Sequence, residues 1–450
     1  TVFLPAIAAD NVLEIEHDGV YSNSGEGLHR FVDPADDEVY LYTQFEVPDS
    51  RRMFAVFEQP DLKARFTFKV TAPSRWKVVS NQPTPEPIDH ANGNATWSFG
   101  ATPRISSYIT ALIAGPYVET RSDLTSSSGK VIPLGVFCRA SLAEFMDAEY
   151  IFEKTRQGFE FYEKQFDVPY PFDKYDQLFV PEFNAGAMEN AGAVTFTETY
   201  VFRSKVADAT RERRVVTILH ELAHMWFGDL VTMRWWNDLW LNESFAEYAS
   251  TLATAEATEW KEAWTTFAVM EKSWAYRQDQ LSSTHPIAAD MIDIDTVKAN
   301  FDGITYAKGA SVLQQLVAHV GRQNFITGLQ KYFAKHAFKN TTLQDLLSEL
   351  EATSGRDLKP WVSTWLQTAG VNTLRPVVEI NGDTYTSISV QQEPPLIPAG
   401  SAELRPHRMA VGLYDLKDGV LSRRKSVELD VSGNLTKVEA LSGEKVADLL

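Results

Sequence analysis

The stretch His220-Glu221-Leu222-Ala223-His224 constrains this chain more than any other feature of its sequence. Apolar residues recur at helical spacing over 209–227, which puts the two histidines one turn apart on one face, where both imidazoles reach a single ion. Val215, Val216, Ile218, Leu219, Leu222, Ala223 and Trp226 predict that this helix is buried. Buried imidazoles and a buried carboxylate require a partner, since polar groups removed from water are costly when unpaired. Zinc suits nitrogen and carboxylate donors, and its catalytic sites keep three protein ligands with a fourth position for water. Glu243 follows His224 by nineteen residues, near the start of a second predicted helix over 239–257. A helix, a loop through Trp235 and Trp236 and a return helix would bring it back as the third ligand. One zinc per chain is therefore expected, on His220, His224 and Glu243. Alone, the five-residue motif also fits a helix whose histidines are merely packed; Glu243 favours the metal.

Four further places carry chemistry. Glu221 adjoins a ligand without being needed as one, so it is free to take a proton from a water beside the ion. Glu247, one turn beyond Glu243, either reaches the far nitrogen of a histidine ligand and fixes its tautomer or is an ordinary solvated carboxylate. Tyr306 opens a predicted helix over 306–320 and reads either as a structural residue or as a phenol projecting into a cleft, where an oxyanion needs a donor. The run Gly186-Ala187-Met188-Glu189-Asn190 precedes a strand-like Ala193 to Phe196. Small residues there let backbone approach a ligand, and an extended segment pairs with a peptide as an added strand. By residue chemistry Glu189 is either an acidic loop residue or a carboxylate that fixes a substrate ammonium.

The remaining sequence divides around this segment. Residues 1–117 alternate like strands, as in Arg65 to Val70, between Pro, Asn and Gly clusters, and predict an all-β domain. Residues 118–370 are mainly helical, with helices expected at 142–166, 209–227, 239–257, 259–279, 306–320 and 342–354. Residues 371–450 return to short strands such as Thr386 to Val390 and Arg408 to Leu413, with turns at Asn381-Gly382 and Asp418-Gly419, and suggest a small β-sandwich. Such a chain is an α+β multidomain protein, and 450 residues suffice for several cores. The formal charge of -18 argues against nucleic acid or anionic lipid as partner, and no run is apolar enough to span a membrane. A single cysteine, Cys138, favours a reducing compartment, and the apolar start Thr1 to Ala9 lacks the basic region of a signal peptide. A cytoplasmic monomer is expected. The chain does not begin with Met, and a longer parent protein is expected.

Taken together, Gly186-Ala187-Met188-Glu189-Asn190, the His220 to His224 motif with Glu243, and the segment around Tyr306 resemble the M1 family of zinc aminopeptidases, the aminopeptidase N type. The resemblance spans nearly the whole chain and implies a thermolysin-like catalytic domain between two β domains. It implies that Glu189 binds the free α-amino group, that His220, His224 and Glu243 bind zinc, that Glu221 is the general base and that Tyr306 stabilises the tetrahedral intermediate. Gly186, Ala187, Met188 and Asn190 belong to the same substrate-binding run. Gln44-Phe45-Glu46 resembles the family's upstream segment, where Gln44 lines the first side-chain pocket and Glu46 gives a second carboxylate to the amine. Ala185 is small, and a roomier pocket is expected. By the same resemblance, the family's first domain begins before Thr1 and its helical fourth domain falls beyond Leu450, so slow turnover is expected of these residues alone. The substrates implied are peptides with a free N-terminal amine. A zinc endopeptidase would share the metal site without needing amine carboxylates, and a peptide-binding protein with a non-catalytic metal would have no use for Glu221.

Overall fold

The computed structural model describes residues 6–450, so the first five positions of the apolar start lie outside it. Its N-terminal region is β-rich. Strands β1 (Gly27–Val32), β2 (Val39–Gln44), β3 (Lys69–Pro73), β4 (Lys77–Ser80), β5 (Ile88–Asp89), β6 (Asn94–Ser98) and β7 (Leu112–Gly115) form a four-stranded sheet in the order β1-β2-β7-β4 and a three-stranded sheet β3-β6-β5. Leu41, Val78, Trp97, Phe99 and Leu112 pack between them. Strand pairing begins later in the Arg65 to Val70 run than its alternation suggests. Residues 65–68 stay outside the named strands and are tied through Phe66 to Thr102 and through Phe68 to Phe99, while Phe66 and Phe68 pack on Phe54.

A five-stranded sheet follows: β8 (Val118–Thr125), β9 (Val131–Cys138), β10 (Tyr175–Val180), β11 (Ala187–Met188) and β12 (Ala193–Thr197), in the order β11-β12-β10-β9-β8. Sequence periodicity announced only its β12 strand. Strands β9 and β10 are largely buried runs, Tyr175 to Val180 throughout, and such runs have no clear period, while β8 is a mainly polar strand at the sheet edge. Short β11 pairs antiparallel with β12 and forms the edge of the sheet.

Helix α1 (Ala148–Phe166) buries Ile151, Phe152, Phe159, Tyr162 and Phe166 and ends at Asp167 in the left-handed conformation. It packs beside α2 (Asp208–His224), which in turn packs on α3 (Leu239–Ala257). Then come α4 (Ala263–Val269), α5 (Glu271–Gln278) and α6 (Ile294–Ala299). The single helix expected over 259–279 is thus divided at Met270, and the bend brings Glu271 onto Arg213 and Trp274 over Tyr306. A wide π turn, Ile304–Lys308, carries Tyr306 into α7 (Gly309–Val320), followed by α8 (Arg322–His336), α9 (Leu343–Ser354) and α10 (Lys359–Trp365). One extended apolar core joins these helices to the sheet.

Beyond Gly370, strands β13 (Thr373–Asn381), β14 (Thr384–Glu393) and β15 (Leu435–Lys437) form one small sheet, and a hairpin of His407–Lys417 with Val420–Val431 forms another. Tyr385, Ile388, Val390, Leu413 and Val431 fill the space between. Gly382 and Gly419 have positive φ in the hairpin turns, which is what the Asn-Gly and Asp-Gly pairs predict. Among the described residues no helix is long and apolar enough to cross a membrane.

Candidate metal centre and cleft

Helix α2 ends at the two histidines, and the chain reverses at once. Gly228 takes φ of +132°, and a Cβ there would lie 2.4 Å from Asn242 Oδ1, so this turn accepts only glycine. The loop then delivers α3, whose first turns are buried on nearly every side. That burial explains why the polar residues Asn242, Glu243, Ser244 and Glu247 all face partners.

His220 Nε2 lies 3.4 Å from Glu243 Oε2 and His224 Nε2 lies 3.6 Å from the same oxygen. One ligand atom from each of the three falls within 4.8 Å of the others. Donors about 2.0–2.2 Å from a tetrahedral zinc stand roughly 3.3–3.5 Å apart, so the observed separations fit that ion. The outer nitrogens are also engaged. His220 Nδ1 faces Glu247 Oε2 at 3.3 Å, and Glu247 is in turn near Arg213, which contacts Glu271 at 3.1 Å. Of the two sequence readings of Glu247, the structure favours the buried partner of a histidine. His224 Nδ1 meets the Phe227 carbonyl at 3.1 Å and Asn242 Oδ1 at 3.0 Å. Each imidazole is thereby held with Nε2 turned toward Glu243.

A second group of carboxylates adjoins the first. Glu46, Glu189 and Glu243 bring one carboxylate oxygen each within 4.8 Å of one another, and the oxygens of Glu189 and Glu221 lie equally close to each other and to a ring nitrogen of His224. Glu46 stands just after β2, while Glu189 and Asn190 follow β11; two separate sheets therefore deliver the acids to one place. Burial first, then the neighbouring Glu189 and Glu243 charges, push the Glu46 carboxyl well above the ordinary range. Burial likewise raises Glu189, against the pull of His224, and pushes Glu221 up to about 8. Glu243 goes the other way, down to about 2, because the two histidines outweigh its burial. Burial would lower His220, but hydrogen bonding to Glu243 and Glu247 raises it to about 9. Such a set of buried acids draws in positive charge from any available source.

The other residues singled out in the sequence are placed as follows. Met188 is buried, and Gln44 Nε2 points at its sulfur from 3.5 Å. Gly186 and Ala185 are exposed, Ala187 is half-buried, and the Gly186 carbonyl accepts from Thr197 N–H. Buried Asn190 donates to Thr195 Oγ1 at 3.3 Å and holds the turn between β11 and β12. The Tyr306 ring lies 6.3 Å from His220 and 6.4 Å from Trp274. Its turn is fastened to α3 by Ser244, whose hydroxyl donates to the Thr305 carbonyl at 2.6 Å. Asn242, Ser244, Arg213 and Trp274 were not marked by the sequence reading. For the first two a signal was present: they are polar residues flanking Glu243 directly after the apolar start Leu239-Trp240-Leu241.

Residues 150–365 match the family description "Peptidase family M1 domain" and residues 4–109 match "Peptidase M1 N-terminal domain". An aminopeptidase N of Streptomyces lividans is 62% identical over 441 residues, covering 96% of this chain and 51% of that protein. A leucyl aminopeptidase of Saccharolobus solfataricus is 34% identical over 385 residues, covering 85% of this chain and 47% of the relative. Aminopeptidase M1 of Arabidopsis thaliana is 34% identical over 428 residues, covering 90% and 47%. The chain spans about half the length of these curated relatives.

Proposed function

Because the chain belongs to peptidase family M1, we propose that it is a zinc aminopeptidase that removes the N-terminal residue from peptides. The observation that carries this reading is that a three-donor metal group and a three-carboxylate group share Glu243. A cleft with both suits a substrate whose ammonium lies beside the bond to be cut.

His220, His224 and Glu243 would hold the ion. Zinc, when bound, supplies Lewis acidity that polarises a carbonyl and makes water more acidic. Glu189 and Glu46 receive the substrate's ammonium, and that charged contact sets the distance from the chain end to the reacting carbonyl. Glu221 lies in the dry interior, and its raised proton affinity suits a base that takes a proton from the attacking water and returns it to the departing amine. Tyr306, kept protonated by burial, donates its hydroxyl to the developing oxyanion. Gln44 and Met188 line the pocket for the first side chain, with Gly186, Ala187 and Asn190 shaping the adjoining edge. The edge position of β11 supports pairing with an extended peptide.

The same reading divides the chain into a β domain over 1–117, a thermolysin-like catalytic domain over 118–370 and a β-sandwich over 371–450. Single, buried Cys138 fits a monomer working in the reducing cytoplasm. Aminoacyl fluorogenic amides test the activity against the same compounds acetylated at the amine, with and without chelator. Release from free-amine compounds alone, lost on chelation and restored by zinc, is the expected result. Cleavage of acetylated peptides would instead indicate an endopeptidase, and zinc binding with no hydrolysis by the full-length protein a binding role.

A further inference from the structure

Asn242 touches both halves of the cleft. Its Oδ1 lies 3.0 Å from His224 Nδ1, and its Nδ2 lies 3.3 Å from Glu189 Oε1 and 3.5 Å from Glu243 Oε1. The side chain is 2% exposed and is pressed against Gly228, where any Cβ would collide with its oxygen. Its orientation follows from charge. With the oxygen toward His224, the amide accepts from an imidazole N–H and donates to carboxylates; turned over, it would set an oxygen against two carboxylates and an N–H against an N–H. No other residue in the described structure hydrogen-bonds to both a candidate metal ligand and Glu189.

We propose that Asn242 is a positioning residue that couples the metal ligand His224 to the amine-binding carboxylate Glu189 through the two ends of one amide. This rests on the zinc aminopeptidase reading above. The oxygen end, together with the Phe227 carbonyl, fixes His224 with its proton on Nδ1 and its lone pair on Nε2, the tautomer a metal requires. The nitrogen end holds Glu189 Oε1 at a set distance from that imidazole, so the amine and the reacting carbonyl are located relative to one another. An aspartate separates the two ends. It keeps an oxygen toward His224 but replaces the donor to Glu189 by a second carboxylate oxygen.

Zinc dissociation constants by competition with a chromophoric chelator, and KM for free-amine aminoacyl amides at saturating zinc, are measured for the parent, N242A, N242D, E189A and N242A/E189A. N242A should weaken zinc by about 10- to 100-fold. N242D should hold zinc within about threefold of the parent yet raise KM for free-amine substrates about tenfold, the scale of one charge-assisted hydrogen bond. E189A should weaken zinc less in the N242A background than in the parent, since the bond it removes is already gone. Additive zinc losses, or an N242D protein with parental KM, would overturn the coupling. If E189A itself leaves KM for free amines unchanged, the amine-binding reading of Glu189 fails and the coupling with it, while a zinc loss in N242A would still register the His224 contact. N242D is nearly isosteric, so the test survives if N242A does not fold.

Discussion

Two buried polar clusters in the protein, one at the cleft and one below the C-terminal sheets, are built differently. At the cleft, side-chain oxygens of Gln44, Glu46, Glu221 and Glu247 are buried without a hydrogen-bond donor. At the junction between the helical region and the C-terminal sheets, Arg405 is 2% exposed and spends its guanidinium on the carbonyls of Thr364, Thr368, Ala369 and Gly370 and on Asn372 and Thr368 side chains. Nearby, Asp279 Oδ1 accepts from Gly370 N and Thr284 Oγ1, and its other oxygen lies 2.7 Å from Lys308 Nζ. The one loose member is Lys308, whose ammonium is close to Asp279 but poorly aligned for a hydrogen bond. A cluster whose acceptors are nearly all satisfied from within serves the fold, whereas one left with excess acceptors is arranged for something that arrives from outside.

If that contrast holds, substitutions at the cleft change rates and those at the junction change stability. The largest effect is expected from E221Q, which should lower kcat by roughly 10²- to 10⁴-fold, the usual contribution of a general base, while zinc content measured by atomic absorption stays at one per chain. Parental rates in that variant would remove Glu221 from the proposed mechanism. Next, R405A leaves several buried carbonyls without donors and should cost about 3 kcal/mol or more of stability in denaturant unfolding, with kcat per folded molecule little changed. A large loss of kcat in the folded fraction would show that the junction is part of the catalytic apparatus.

A pH measurement sharpens the junction side. Burial, with Arg405 nearby, lowers His407 to about 4 from its ordinary 6.5. Between those values the unfolded chain binds more protons, so this group's contribution to stability is complete above about 6.5 and is lost as the pH falls toward 4. The difference between the parent and H407Q in unfolding free energy should therefore shrink by about 2–3 kcal/mol across that window. A pH-independent difference would mean that His407 titrates normally. The smallest effect is expected from S244A, which removes the hydroxyl fastening Thr305 to α3 and should lower kcat by about three- to tenfold, as one hydrogen bond is worth. In a Y306F background the same substitution should cost little, and an undiminished loss there would detach Ser244 from Tyr306.

Parts of the cleft and its helices are legible in the sequence, but unevenly. The bounds of α3 follow the sequence periodicity residue for residue, because a long amphipathic or buried helix repeats its signal many times. The 259–279 segment kept the same period on both sides of Met270, and nothing local marked the bend; what holds it is the pairing of Glu271 with Arg213 and the stacking of Trp274 over Tyr306. Helix α8, Arg322 to His336, escaped notice because polar residues dominate its first turn and the preceding Gly321 reads as a stop. Glu46 and Gln44 were singled out through family resemblance alone, since nothing in a strand end announces which distant helix it will face.

By itself the sequence determined the spacing of the two imidazoles, one turn apart on α2 through the 3.6-residue period, and placed Glu243 near the start of the next helix; that α3 returns this carboxylate to them was decided by the chain reversal at Gly228. Tertiary structure decided what surrounds that set. Glu46, Glu189 and Glu243 are nearly two hundred residues apart from first to last, and only the docking of two sheets against one helix pair brings their charges within 4.8 Å. Local sequence fixes where a side chain points along its own element. Burial, the approach of like charges and the partner of each polar atom depend on which elements pack together, and that is a property of the whole fold.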